Sequence, residues 1–343
     1  MRLIFRLHRW LGLSCGALLA VSGLTGALLV FGHEIERALE PALHRAAPHE
    51  TRASLDVALS EVRRLHPAHT VSYIRFPRTP DGTYEFWLDR DQGPRVYVDP
   101  GSGRVLGTRA PHEGLVGFLR ELHVHLLSGS AGDTLVGTFG MATLVLLATG
   151  GMFWWRSRRA RASLRSPASA LHRKLAVSSV ALLLIAALTG TSLAFSAPVR
   201  KALNALAGVS IAPPPAAHST PRPQLDAALG AASTALPAGQ VSWIYLPAAP
   251  GLPLTVRLRT ADEHHPNGLN MVYADPADGS VLRVDAASRA SPGVRLFEWF
   301  YPLHIGTLAA NPHRLAQTLL GLLPALLLAT GLLTFLRRRR RNH

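Results

Sequence analysis

Four stretches of this sequence contain no Asp, Glu, Lys or Arg: residues 11–32, 134–155, 175–199 and 315–336, each 22 to 25 residues long. That length decides the architecture. A helix rises 1.5 Å per residue, so about 20 apolar residues cross a bilayer core. In hydrocarbon a helix also satisfies its own backbone polar groups. The sequence therefore predicts an α-helical membrane protein with four transmembrane helices.

The flanks of these stretches carry a one-sided charge. Arg2, Arg6 and Arg9 precede the first. Arg156, Arg158, Arg159, Arg161, Arg165, Arg173 and Lys174 lie between the second and third, and five arginines, 337–341, follow the fourth. No acidic residue accompanies them and the rest of the chain balances its charges, so the whole excess of +15 sits here. The positive-inside rule then puts both termini and the loop 156–174 in the cytoplasm. The arginines orient helices and meet anionic lipid. A nucleic-acid reading loses its motive, since no recognition motif accompanies the charge. A hydrophobic share of 48% excludes disorder, and a single cysteine, Cys15, excludes a disulfide scaffold. The first stretch reads as retained: it is too long for a signal-peptide core and runs on into Phe31-Gly32-His33-Glu34, with no small-residue cleavage site.

The chain is a tandem repeat. Leu7-His8-Arg9-Trp10-Leu11 recurs as Leu171-His172-Arg173-Lys174-Leu175, and Leu24-Thr25-Gly26 as Leu188-Thr189-Gly190, both at an offset of 164. Val71-Ser72-Tyr73-Ile74 recurs as Val241-Ser242-Trp243-Ile244 at 170, and Val96-Tyr97-Val98-Asp99-Pro100 as Val272-Tyr273-Ala274-Asp275-Pro276 at 176. Leu122-His123 recurs as Leu303-His304, and Leu147-Ala148-Thr149-Gly150 as Leu328-Ala329-Thr330-Gly331, both at 181. The offset only grows, in steps that loops can absorb. Two parallel repeats follow, related by a twofold axis along the membrane normal.

The expected organisation is helix 1 within 1–32, an extracytoplasmic domain at 33–133, helix 2 at 134–155 and a basic loop at 156–174. Helix 3 at 175–199, a second extracytoplasmic domain at 200–314, helix 4 at 315–336 and a basic tail at 337–343 complete it. Each extracytoplasmic segment reads as a small α+β domain. In the first, helical spacing over 54–66 precedes strand-like runs at 71–76, 83–89 and 95–98. The second repeats this with 225–235, 241–246, 254–259 and 268–274.

The histidines carry the chemistry. His8 and His172 occupy equivalent positions at the cytoplasmic ends of helices 1 and 3. His123 and His304 are equivalent on the other side, before helices 2 and 4. Residues related by a twofold axis can face each other across it, and a bis-histidine b-type haem needs one imidazole on each face of its iron. The repeat offers this twice. The alternative is that these are interfacial side chains with no ligand. Arg9 and Arg173 follow the cytoplasmic pair; they suit haem propionates or simply obey the positive-inside rule. His33, whose repeat position is Ala197, and His125 stand as alternative iron ligands or substrate-site residues. His264-His265 reads as a solvated turn. The remaining histidines read as scattered surface residues. A zinc site is disfavoured by spacing, because His123-x-His125 is too short and the cysteine is isolated. The glycines in the spans read as close helix packing, Trp10, Trp154, Trp155 and Trp299 as an interfacial belt, and Pro324 as a kink in helix 4.

The motifs now assembled resemble the PepSY-associated transmembrane family. They are Leu7-His8-Arg9-Trp10-Leu11-Gly12-Leu13, Leu24-Thr25-Gly26-Ala27, Leu122-His123, Leu171-His172-Arg173-Lys174-Leu175 and Pro302-Leu303-His304-Ile305-Gly306. The two Val-Tyr-x-Asp-Pro turns resemble the end of a PepSY domain. The resemblance implies a bacterial inner-membrane protein, often iron-regulated, some members of which are siderophore-iron reductases with two b-type haems. Carried over, the iron ligands fall on His8, His123, His172 and His304. The function it implies is transmembrane electron transfer to a ferric siderophore outside. Because the loop 156–174 is too short to fold a flavin domain, the electron donor would be a separate flavin, reductase or quinol. A non-enzymatic alternative is a membrane-anchored PepSY module that binds a peptide or a protease. A siderophore transporter is disfavoured by the lack of ionisable residues within the spans.

Overall fold

The computed structural model describes residues 2–47, 49–90, 92–159, 166–208 and 212–340, except the side chains of 157–159 and 338–339. In chain order the elements begin α1 (Arg2–Ser14), α2 (Gly16–Leu29), α3 (Gly32–Leu39), α4 (Pro41–His44), α5 (Leu55–Leu65), β1 (Val71–Arg75), β2 (Tyr84–Leu88), β3 (Arg95–Val98) and β4 (Val105–Arg109). Then follow α6 (Gly114–His125), α7 (Gly129–Arg159), α8 (Pro167–Ala194), α9 (Ser196–Leu206) and α10 (Leu225–Ala235). The chain ends with β5 (Gln240–Tyr245), β6 (Leu254–Arg259), β7 (Asn270–Ala274), β8 (Val281–Asp285), α11 (Pro292–Glu298), α12 (Phe300–Ile305) and α13 (Ala310–Arg340). These form two compact units. A helical unit takes the chain up to Gly32, Phe118–Lys201 and the chain from Phe300; a sheet unit takes His33–Gly117 and Ala202–Trp299.

In the helical unit, three described helices have the length and composition to cross a membrane: Gly129–Arg156, Pro167–Ala194 and Ala310–Arg337. The first expected span is different. It is broken near Cys15 into α1 and α2, which bend by 53° and form a fourth span only if the pair is taken together. Parts of the expected basic segments, residues 160–165 and 341–343, lie outside the described residues. Ser166 starts α8 by accepting the Ser169 N–H at 3.2 Å, and Pro167 supplies a first-turn residue that needs no backbone donor. The helix around Pro324 is uninterrupted. Helices α2 and α13 meet where neither has a side chain. A Cβ on Gly23 would strike the Gly321 carbonyl, and one on Gly321 would lie 2.9 Å from the Ala27 Cβ. Small residues thus allow the close approach that dispersion needs in an apolar solvent. Aliphatic side chains such as Leu182, Ile185, Leu188, Leu319 and Leu326 are left exposed on α8 and α13, as a lipid-facing surface requires.

The sheet unit corrects the expectation of two separate small domains. Its eight strands form one antiparallel sheet in the order β4-β3-β2-β1-β5-β6-β7-β8. Each repeat supplies a four-stranded meander, and the two join through β1 and β5, with Ile74 opposite Ile244 at the centre. The reason is elementary: a meander leaves its first strand as an unpaired edge, and duplication provides a second identical edge to pair with it. The fourth strand of each meander, β4 and β8, was not among the strands expected from the sequence. Alternation along the strands puts Ile74, Phe86, Val96, Ile244, Val256 and Val272 on one face, where they bury against Leu55, Ala58, Leu59 and Val62 of α5 and Leu225, Ala228 and Ala232 of α10. These helical positions recur every three or four residues, as an amphipathic helix demands.

Symmetry also caps the two helices. Asp56 accepts the Leu225 N–H at 2.7 Å and the Asp226 N–H at 3.2 Å. Asp226 in turn accepts the Leu55 N–H at 2.9 Å and the Asp56 N–H at 3.3 Å. Each repeat therefore satisfies the orphan donors at the other's helix start. Asp99 and Asp275 organise equivalent turns after β3 and β7: Asp99 accepts the Gly101 N–H at 2.8 Å and Asp275 the Ala277 N–H at 2.9 Å. Gly103 and Gly279 close these turns at φ of +69° and +76°, a region costly for a side chain.

Two histidines expected at the surface are buried in this unit. Burial lowers His44 to about 4, against the opposing pull of Glu85. Burial, then Arg257 and Arg78, lowers His265 to about 3. Burial opposes ionisation of Glu85, but Arg75 and Arg95 outweigh it and hold its carboxyl at about 2. As the pH falls below 6.5, the ordinary value of an imidazole, the unfolded chain takes up protons that these folded histidines refuse, so stability is lost. Glu85 adds to the loss only below about 4.5, the ordinary value of a glutamate carboxyl. A far-UV thermal melt of the full chain should therefore fall between pH 7 and pH 5, and His44→Gln and His265→Gln should each flatten the dependence. An equal melting temperature at the two pH values would contradict this.

Candidate functional site

The four repeat-related histidines all belong to the helical unit and share one local environment. His8 on α1 sets Nδ1 2.8 Å from the Thr149 hydroxyl of α7. His123 on α6 sets Nδ1 3.1 Å from the Thr25 hydroxyl of α2 and 2.9 Å from the Ser22 carbonyl. His172 on α8 sets Nδ1 3.0 Å from the Thr330 hydroxyl of α13 and 3.1 Å from the Leu327 carbonyl. His304 on α12 sets Nδ1 3.1 Å from the Thr189 hydroxyl of α8.

Each threonine has already spent its own hydrogen. Thr25, Thr149, Thr189 and Thr330 donate to the carbonyls of Val21, Val145, Ile185 and Leu326, four residues back, at 2.7 to 2.8 Å. Their oxygens are thus left as acceptors. A carbonyl can only accept, so for His123 and His172 Nδ1 must carry the proton, and the hydroxyls impose the same state on His8 and His304. Nε2 then holds a free lone pair. It has no partner on any of the four rings among the described residues. Fixing one imidazole nitrogen with a hydrogen bond so that the other can bind a metal is the usual outer-shell arrangement.

The residue after each threonine is glycine, and it makes room for the ring. A Cβ on Gly26 would lie 2.9 Å from the His123 Cε1, and one on Gly190 2.9 Å from the His304 Cε1. Gly150 and Gly331 stand likewise under His8 and His172, at 3.3 and 3.6 Å. The anchors are all made within a repeat, whereas the rings meet between repeats. His123 and His304 have centroids 6.2 Å apart with planes inclined at 41°. His8 and His172 lie within electrostatic reach of each other. A metal bonded to one nitrogen of each ring at about 2 Å would set the centroids about 6 Å apart.

The flanking arginines sit differently. The Arg9 guanidinium lies 5.4 Å from the Trp10 ring and 5.8 Å from the Phe335 ring, and its Nε is buried without a hydrogen-bond partner. Arg173 is half-buried and makes no ion pair or hydrogen bond among the described residues. The two alternative histidines do not join the four. His125 is bonded through Nδ1 to Asp133. His33 belongs to the sheet unit, where it lines a small cavity with His44, Arg75, Arg78 and Glu85; the Nε2 atoms of His33 and His44 are both buried and unpaired. Burial, then Arg75, lowers the pKa of His33. Among the described residues no three His, Cys, Asp or Glu side chains converge as a metal-ligand group. Sequence reasoning found the histidines but missed Thr25, Thr149, Thr189 and Thr330. The signal was present: every Thr-Gly pair recurs at the offset of a repeat, as the histidines do.

These helices define an integral membrane protein. The description of the PepSY-associated TM region matches residues 5–338, essentially the whole chain, and the protein belongs to that family. It is a transmembrane protein and contacts lipid. No curated protein matches the chain.

The tautomer can be read directly. In ¹⁵N spectra of the histidine-labelled protein with no added metal or cofactor, His8, His123, His172 and His304 should each give an Nδ1-protonated ring. Replacing them one at a time with phenylalanine should remove one such signal each. An Nε2-protonated ring at any of the four would contradict the arrangement.

Proposed function

We propose that this protein is a b-haem-dependent transmembrane electron carrier that reduces a ferric, siderophore-bound substrate outside the cytoplasmic membrane, for iron uptake. The observation that carries the reading is the fourfold His–Thr–Gly anchor, which leaves four unprotonated Nε2 atoms in two cross-repeat pairs. His8 with His172 would hold one haem, and His123 with His304 the other. The residues fit such a group. The glycines give the rings space, the aliphatic bundle excludes water, and the unpartnered Arg9 Nε, with Arg173, suits a propionate. A bis-histidine b-type haem supplies reversible one-electron chemistry at its iron.

The chain's own part is to bind and orient. Locked Nδ1–H bonds hold each imidazole at one angle and raise its basicity toward a metal. By the positive-inside rule the arginine-rich segments would place both termini and the stretch 156–174 in the cytoplasm of a bacterial inner membrane, with the two PepSY-like segments, 33–133 and 200–314, outside. The segment 156–174 is too short to hold a nucleotide-binding domain, and the electrons would come from a separate reductase, a soluble flavin or a quinol. Reduction weakens a siderophore's hold because Fe(II) is less charged and softer than Fe(III).

A pyridine haemochrome assay on the detergent-purified full chain should find two b-type haems per chain, reoxidised by a ferric siderophore after dithionite reduction. The double variant His8→Ala/His172→Ala should lose about half of the haem absorbance. His123→Ala/His304→Ala should lose the other half. Absence of haem after expression with ample iron and haem precursor would overturn the proposal.

A further inference from the structure

The repeat offset grows from 170 at Val71/Val241 to 176 at Val96/Val272, and the structure shows where the added residues go. In the first repeat, residues 89–94 connect β2 to β3. In the second, the positions that match them are 259–270, twice as many, of which 260–269 join β6 to β7. The longer loop covers the end of β5. Asn267 accepts the Ser242 hydroxyl at its backbone oxygen at 2.6 Å and the Arg78 guanidinium at its side-chain oxygen at 3.1 Å. His265 is buried beneath it and accepts the Asn267 N–H at 3.1 Å.

The twofold axis passes between Ile74 and Ile244, so Ser72 stands where Ser242 does and Ala248 where Arg78 does. There the shorter loop leaves an open cavity of about 410 Å³, within the range of small-ligand sites. It is lined by Ser72, Tyr73, Arg90, Tyr245, Pro247 and Ala248, among others. The β1–β5 ladder ends at its rim, where the Leu246 N–H donates to the Ser72 carbonyl at 2.9 Å and Pro247 has no N–H to continue it. One of two symmetric sites is thus filled by the chain's own peptide, and the other is vacant.

The vacant site keeps the groups that would hold such an occupant. Ser72 Oγ accepts the Arg90 N–H at 3.0 Å, and its own hydrogen has no acceptor among the described residues. The Arg90 guanidinium is exposed and unpaired among them. Arg90 and Asp89 adopt φ of +60° and +45°, a left-handed turn that L side chains rarely adopt. The rings of Tyr73 and Tyr245, 5.4 Å apart and edge to face, supply an aromatic wall.

We propose that this cavity binds a short peptide with a free C-terminus, whose amide carbonyl takes the Ser72 hydroxyl and whose carboxylate takes Arg90. The occupant copies what Asn267 does on the symmetric side, with a carboxylate–arginine pair replacing the lost Arg78 contact. The site is independent of the haem reading, since every residue in it belongs to the sheet unit.

The test uses the full chain in detergent and the tripeptide acetyl-Pro-Asn-Gly, as free acid and as C-terminal amide, followed by saturation-transfer NMR and titration. The acid should bind, and the amide about tenfold more weakly, the loss of one charge-assisted hydrogen bond. Arg90→Gln should make the two forms equal, and Ser72→Ala should weaken the acid about fivefold. Ala248→Trp, which fills the cavity, should abolish binding. If that variant does not fold, Ser72→Ala and Arg90→Gln decide the matter. No binding of either form to the native chain, or binding unchanged by Ser72→Ala and Arg90→Gln, would overturn the proposal.

Discussion

The hydrogen bond from each buried imidazole Nδ1–H to a threonine oxygen is the interaction on which the helical unit turns. An unpaired N–H in an apolar bundle costs on the order of 1–3 kcal/mol, and water is not at hand to satisfy it. Threonine answers because it gives its own hydrogen to its helix and still has an oxygen lone pair to offer. The neighbouring glycine is equally necessary, since a Cβ there would push the ring off its acceptor. Four such anchors tie α1 to α7, α2 to α6, and α8 to both α12 and α13. They hold each ring in one orientation, the preorganisation that lowers the cost of binding at any site built on such rings.

Duplication does the same service for the sheet unit. One meander alone would expose the edge of β1, and one helix alone would leave the N–H groups at its start unsatisfied. The second copy covers both needs, through the β1–β5 ladder and through the exchanged Asp56 and Asp226 caps. Symmetry then makes departures from it informative. The ladder and caps obey it closely, and the lengthened 260–269 connection breaks it. Buried His265 stands at that break, where the sequence suggested only a solvated turn.

Much of this was legible in the sequence because the physics involved is local or periodic. Charge-free stretches longer than about 20 residues announce membrane spans. Alternation and helical spacing announced six of the eight strands and both sheet-covering helices. Equivalent repeat positions singled out His8, His123, His172 and His304. The weak points are equally physical. A helix broken near Cys15 reads as continuous, because no proline or charge marks the bend. The β8 strand is half-exposed, so its hydrophobic pattern is faint. His44 looks like a surface histidine until Tyr97 closes over it, its ring centroid 4.7 Å away.

The sequence by itself determined the membrane class and singled out the matching segments of the two halves and the four histidines, since each rests on composition or on spacing along the chain. Only the tertiary structure decided that the two PepSY-like halves share one sheet, that threonine and glycine hold each ring, and that one of two symmetric cavities stays open. Those outcomes depend on contacts between residues a hundred or more positions apart, and no local period encodes which distant partner an edge strand, an imidazole N–H or an elongated loop will find.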